Sequence, residues 1–178
     1  EKYEDSIARV KKAISLDPNQ AKFFNLLGIC LKRQEKYQNA IEALEQAVRL
    51  HPTYIQAIHN LGTVYREVER YDEAVQCFNY VLNNKPDQVE TWEAIGSLYH
   101  STKDFKRSIV AFNKLLELEP ENFVIHRALN NMMWETGHHD GFLGSYVRAI
   151  EARPNSEKLI AAYAEELSLG YDFEKAIN

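Results

Sequence analysis

Apolar side chains recur along this chain at spacings of three and four. Phe24, Leu27 and Leu31 share one helical face, as do Ile58, Leu61 and Tyr65. Leu44, Ala47 and Val48 form a second set, matched by Phe78, Val81 and Leu82. Such spacing predicts amphipathic helices, because three or four residues return the chain to one side of a 3.6-residue turn. Each set also returns 34 residues later. The chain is therefore one helix pair used several times, and a fixed period outranks any local signal.

The prolines mark the same period. Pro18, Pro52, Pro86, Pro120 and Pro154 lie 34 residues apart. Proline cannot continue the preceding helix, so each one closes a repeat. With the proline at position 32, the repeats span residues 21–54, 55–88, 89–122 and a divergent 123–156. A half repeat, 1–20, precedes them and a truncated one, 157–178, follows. Position 33 is Asn19, Thr53, Asp87, Glu121 and Asn155. All but Glu121 are good N-cap residues, which predicts that the next helix is capped there.

Position 8 is Gly28, Gly62 and Gly96. A glycine inside a helix costs about 1 kcal/mol against alanine, so three in phase call for a packing reason. Position 20 is small as well, Ala40, Ala74 and Ser108, and the expected contact is small against small. In the fourth repeat Asn130 replaces the glycine and Phe142 the small residue, while Gly137, Gly141 and Gly144 cluster nearby. The expectation is that Gly141 and Gly144 take over the close contact and the pair packs at a changed angle. No glycine- or serine-rich linker interrupts the array.

Trp92, Ile95, Gly96, Tyr99, Ser108, Phe112 and Pro120 follow the pattern W-x2-L-G-x2-Y…A-x3-F…P. The chain resembles the tetratricopeptide repeat on these residues. The resemblance implies an all-α, right-handed superhelical solenoid of antiparallel helix pairs, in which first helices line a concave, partner-binding groove. It places positions 2, 5, 9, 12 and 13 on the groove wall. The expected partner-binding residues are then Asn25, Ile29, Lys32 and Arg33, followed by His59, Thr63 and Arg66. Glu93, Ser97 and His100 continue the wall, and Arg127, Asn131 and Trp134 end it. Lys22, Gln56, Glu67, Glu90, Ser101, Val124 and Glu135 fill its remaining positions.

Lys32, Arg33 and Arg66 make the start of that wall basic and suit a carboxylate or acidic side chains. Trp134 would offer a rigid amphipathic anchor. Trp92, at position 4, is expected in the core. Two known binding modes of the family lack their residues. The chaperone-tail carboxylate clamp would need lysine, arginine and asparagine where Asn25, Ile29, Asn60, Glu90 and Ala94 stand, and only Asn60 fits. An asparagine ladder fails too, since position 6 reads Leu26, Asn60, Ala94, Ala128 and Ala162.

Composition narrows the function further. The 178 residues are 45% hydrophobic and 26% charged, with a formal net charge of -5. Residues 21–54 carry +2, and 55–88 and 89–122 carry -2 each. No basic run tracks phosphates, which argues against nucleic acid. No apolar run approaches the ~20 residues of a membrane span. Cys30 and Cys77 fall at different phases with no metal-ligand spacing, so free thiols in a reducing, cytoplasmic setting are expected. His138-His139-Asp140 reads as a polar turn rather than a metal site. No phosphate loop, nucleophile elbow or framed carboxylate pair appears. Neither catalysis, a metal nor a cofactor is expected.

The leading reading is a protein-interaction scaffold that holds a peptide or partner segment in its groove. The alternative is a non-catalytic arm of a larger enzyme, recruiting substrate or partner. Asn130 to Ala176, with Trp-Glu-x-Gly and Ser-Tyr-x-x-Ala-Ile, looks like the repeat arms found before bacterial oxygenase or sulfotransferase domains. The chain begins at Glu1 and neither end, Tyr3 nor Ile177, shows a polar cap. These points suggest a fragment of a longer tetratricopeptide protein, or self-association through uncapped ends.

Overall fold

A computed structural model describes residues 2–138 and 141–177, and side chains at 4–138 and 141–169. Ten helices run through the described residues. They are α1 (Lys2–Leu16), α2 (Ala21–Arg33), α3 (Tyr37–Leu50), α4 (Ile55–Glu67), α5 (Tyr71–Asn84), α6 (Val89–Ser101), α7 (Phe105–Leu118), α8 (Phe123–Glu135), α9 (Gly144–Ala152) and α10 (Glu157–Ile177). They form an all-α array of antiparallel pairs. The side chains of Tyr3 and Ile177, and all of His139 and Asp140, lie outside the described residues.

The chain divides into two compact units, residues 1–98 and 99–178. The division falls inside α6, where no change of composition announces it. In the first unit α1 packs on α2, α2 on α3, α3 on α4 and α4 on α5, and the first helices α2 and α4 also touch. In the second, α7 packs on α8 and α9, and α9 on α8 and α10. The core sits in the seams: Ala40, Leu44, Ala47, Phe78 and Val81 are fully buried in the first unit, and Leu115, Met132 and Leu159 in the second.

Gly28 and Gly62 do mark close approach, but against a different partner from the one expected. A Cβ on Gly28 would lie 2.5 Å from Leu44 Cγ, and one on Gly62 would lie 2.8 Å from Phe78 Cε1 and 2.9 Å from Cys77 Cβ. Leu44 and Phe78 occupy position 24, not 20. The missing side chain is thus a notch that admits a large apolar group from the second helix, rather than a small-on-small crossing.

Both kinds of turn are built from backbone bonds in phase. At the end of each first helix, Lys36, Arg70, Asp104 and His138 donate N–H to the carbonyls of Leu31, Tyr65, Tyr99 and Met133 at 2.8–3.0 Å. Glu35, Glu69, Lys103 and Gly137 donate to Lys32, Arg66, His100 and Trp134. This double bond pattern is the Schellman motif, which needs a left-handed residue at its centre. Glu35, Glu69 and Lys103 supply it with φ near +60°, and Gly137 with φ of 72°.

Between repeats, the N–H groups of Tyr54, Gln88, Asn122 and Ser156 donate to the carbonyls of His51, Lys85, Glu119 and Arg153. The proline is therefore the second residue of a four-residue turn, a place its fixed φ suits. Position 33 sits third in that turn and does not cap the helix. The cap falls one residue later, where Asn122 Oδ1 accepts from Ile125 N–H and Ser156 Oγ accepts from Leu159 N–H, each at 3.3 Å.

Position 4 also differs from expectation. Trp92 is half-buried rather than core, and its Nε1–H donates to the Pro86 carbonyl at 2.8 Å. His126 repeats that bond one period later, from Nε2 to the Pro120 carbonyl at 2.9 Å, but is fully buried. Its Nδ1 meets Ser145 Oγ at 2.9 Å, and its ring stacks on Tyr146 at 4.1 Å.

The fourth repeat departs most. Its second helix, α9, has nine residues against 14 in α3, α5 and α7, and begins at Gly144. Leu143 precedes it in the left-handed region, φ 63°, and its N–H donates to Asn130 Oδ1 at 3.0 Å. Asn130, in the glycine's place, thereby ties down the displaced helix start. A Cβ on Gly141 would lie 3.1 Å from Met133 Sδ, the flexible part of a side chain, and one on Gly144 would meet only Arg148 Nη1 of its own helix, at 3.4 Å. The expected transfer of the close contact to Gly141 and Gly144 does not occur.

Candidate functional site

The first helices carry the candidate wall, and the first unit holds most of it. On α4, Gln56, His59, Thr63 and Arg66 follow one another at helical spacing, so they share a face. Lys32 reaches across from α2, its Nζ donating to Thr63 Oγ1 at 3.2 Å. The Thr63 hydroxyl in turn donates to the Asn60 carbonyl at 2.7 Å. Asn60 Nδ2 donates to Asn25 Oδ1 at 2.8 Å. His59 Nδ1 is joined to Thr91 Oγ1 of α6 at 2.8 Å.

These bonds sort the expected binding residues by role. Asn25 is only 6% exposed and Thr63 8%, so both build the wall from within and present little surface. Ile29, Lys32, His59, Arg66 and Ser97 are half-buried, and Arg33 and Glu93 are exposed. Arg66 is paired with Glu67 at 3.1 Å. Burial holds the His59 imidazole below its usual pKa, and Lys32 and Arg66 add to this while Glu90 opposes it. Burial likewise lowers the Lys32 ammonium, with Glu67 opposing and Arg66 and Arg33 adding.

In the second unit, His100, Arg127 and Asn131 are exposed. Arg127 Nε donates to Glu166 Oε1 at 2.9 Å, and that carboxylate is almost fully buried. Trp134 is 38% exposed and stands edge-on to Phe142, ring centres 6.5 Å apart. His138 is exposed and bonds Thr136, while the rest of the His-His-Asp triplet lies outside the described residues. Among the described residues no group of three or more His, Cys, Asp or Glu is placed to hold a metal.

Asn60, Thr91 and Glu166 were not expected in these roles. Each is bonded to position 5 of the repeat before it: Asn60 donates to Asn25, Thr91 shares a bond with His59, and Glu166 accepts from Arg127. A signal for them does exist in the sequence. Position 3 reads Phe23, Ala57, Thr91, Ile125 and Leu159, and position 10 reads Cys30, Val64, Leu98, Met132 and Glu166. Position 6 shows one asparagine among leucine and alanines. In each column the single polar residue is the one that makes the tie.

An open cleft of about 540 Å³ lies at the α7–α8 turn beside Leu118, Phe123 and Val124, and one of about 480 Å³ beside Ile7, Leu31 and Gln34. Only Val124, of the wall positions, lines either one. Burial pushes the Cys77 thiol up to about 11, with Glu73 adding, and burial raises Cys30 as well. Both are poor nucleophiles in this state. No helix among the described residues is long and apolar enough to cross a membrane.

Models of the tetratricopeptide repeat match residues 25–87 and 89–122. No curated protein matches the chain in sequence. Solved structures of MamA do match in fold. MamA 41-end from Desulfovibrio magneticus RS-1 aligns with a TM-score of 0.74 at 20% identity, over 87% of this chain and 88% of that one. A further MamA crystal structure aligns at 0.75 and 18% identity, over 93% and 91%. MamA AMB-1 aligns at 0.72 and 23%, over 84% and 89%.

Proposed function

This chain belongs to the tetratricopeptide repeat family, whose repeats are protein-interaction scaffolds, and on that premise we propose that it binds a peptide or partner segment along its first helices. The observation that carries the reading is the hydrogen-bonded wall of α2, α4 and α6. Asn25–Asn60, Lys32–Thr63 and His59–Thr91 lock neighbouring first helices together on one face. A surface fixed this way loses little freedom when a partner docks, which is what preorganisation contributes to affinity. Its side chains vary from repeat to repeat, whereas the seam residues recur. That contrast supports recognition by the wall and structural duty in the seam. The binding contacts fall to Ile29, Lys32, Arg33, His59, Arg66, Glu93 and Ser97 in the first unit, with Asn25 and Thr63 supporting them. His100, Arg127, Asn131 and Trp134 take the same role in the second.

The test is selection of binding peptides from a random displayed library. Affinities are then remeasured on Arg66→Ala, Glu93→Ala, Asn131→Ala and Trp134→Ala. Loss in at least one variant is expected, since a few residues dominate binding. Full affinity in all four would show that the wall is not the binding surface.

A further inference from the structure

Resting on that reading, we propose that the wall of the first unit takes an acidic partner segment, an Asp or Glu side chain of which seats between Lys32 and Arg66. Lys32 is half-buried, and its ammonium has a neutral hydroxyl, Thr63 Oγ1 at 3.2 Å, as its hydrogen-bond partner. Among the described residues no carboxylate lies within ion-pair distance of it. Thr63 draws the ammonium to the surface of α4, one helical turn from Arg66. Two cations from different repeats thus lie close enough to repel, and Glu67, paired with Arg66 at 3.1 Å, offsets part of that repulsion without bonding Lys32. A half-buried charge without an ionic partner is poorly solvated, and a second cation beside it adds repulsion. The lowered proton affinity of Lys32 has the same origin. An incoming carboxylate relieves both, and charge-assisted bonds to lysine and arginine are among the stronger polar contacts available.

The same geometry argues for a side-chain carboxylate rather than a chain terminus. Holding a terminus in this family's manner would call on lysine, asparagine and arginine where Asn25, Ile29, Glu90 and Ala94 stand, and on Asn60, which already directs one Nδ2 hydrogen to Asn25 Oδ1 at 2.8 Å. A polyanion is disfavoured by the chain's net charge of -5. The fit is to one or two acidic residues within an otherwise uncharged segment.

The probe is a random dodecapeptide library displayed within a loop, so that no free carboxyl terminus is offered, beside a second library ending in free carboxyl termini. The loop library is expected to enrich Asp and Glu. Its best peptide should lose about ten-fold or more in affinity on Lys32→Gln or Arg66→Gln. It should lose as much when its own acidic residue becomes the amide, and nothing on Arg49→Gln, an exposed arginine of the second helix α3. The two losses should not add, because they remove one interaction. Raised salt should weaken the wild-type complex and leave the amide peptide unaffected.

Enrichment only from the free-terminus library would overturn the side-chain assignment. Peptides that ignore Lys32→Gln and Arg66→Gln but fail on Glu93→Ala would sink the acidic occupant and leave the wall standing. Peptides indifferent to every first-helix substitution, or no binder from either library, would bring down both.

Discussion

Gly28→Ala sets two well-known effects against each other. Alanine is the better helix former by about 1 kcal/mol, and taken alone this would stabilise α2. The added Cβ, however, would lie 2.5 Å from Leu44 Cγ and 2.9 Å from Cδ2. Ordinary carbon contact begins near 3.5 Å, so the branch point of Leu44 must retreat by roughly 1 Å. Leu44 is fully buried, so it cannot swing out into solvent to make room. Overpacking of this kind costs about 1–3 kcal/mol, so with the propensity gain of about 1 kcal/mol set against it the net expectation is a loss of up to about 2 kcal/mol. In a chain of this size that lowers Tm by a few degrees. Urea titration followed by far-ultraviolet dichroism reads it directly. The discriminating measurement is the pair with Leu44→Ala. That change alone should cost about 2–5 kcal/mol through its cavity. In the double variant the new methyl sits in the vacated space, and the two losses should fall short of their sum by 1 kcal/mol or more. If Gly28→Ala raises the midpoint, or if the two changes simply add, the notch is not what keeps glycine at position 8.

Three further outcomes follow from the turns and the wall. Glu35→Gly, Glu69→Gly and Lys103→Gly should each stabilise the chain by up to about 1 kcal/mol, because the left-handed conformation costs a non-glycine residue about 1–2 kcal/mol and the glycine's added chain entropy returns part of it; Gly137→Ala should do the reverse, and the denaturation midpoint decides. Burial depresses the folded-state pKa of both His126 and His59, so below the unfolded value near 6.5 the unfolded chain binds more protons. Stability should hold above about pH 7 and fall as the pH drops through 6.5 towards 5, and a flat profile across that window would contradict the buried, neutral imidazoles. Asn25→Leu should cost about 1–3 kcal/mol by stranding the Asn60 amide, whereas the Asn25→Leu, Asn60→Leu pair should recover most of it; equal losses in both would mean that the bond is not formed.

The helices were legible because their signal is redundant: apolar spacing, prolines and glycines all carry the same period. The contacts were less so, because they depend on how two helices cross. Gly28 announced a close approach, but whether Ala40 or Leu44 fills it is set by crossing geometry, which the period does not contain. The cap was misplaced by one residue for a related reason. Asn19, Thr53, Asp87 and Asn155 suit a turn as well as a cap, and the bond from position 34 to position 31 decides in favour of the turn. The late start of α9 turns on a single leucine in the left-handed region, a conformation leucine does not advertise. In the candidate wall, the period supplies the residue types, and the face is the one that the family resemblance implies. Their division into buried ties and exposed contacts did not, since Asn25 and Thr63 look as polar in sequence as Arg33.

The ties at position 5 give the array a direction of reading. Asn25 meets an asparagine at position 6 of the following repeat, His59 a threonine at position 3, and Arg127 a glutamate at position 10. These three repeats thus each carry a key cut for the successor. Exchanging the first two repeats would preserve the proline, the notch glycine and both turns, yet would set His59 against Phe23 and Asn25 against Ala94, an imidazole and an amide against apolar columns. The modules look interchangeable from their shared pattern, but their order is written into the stacking, so that the sequence of side chains offered to a partner cannot be reshuffled without cost to the fold that displays it.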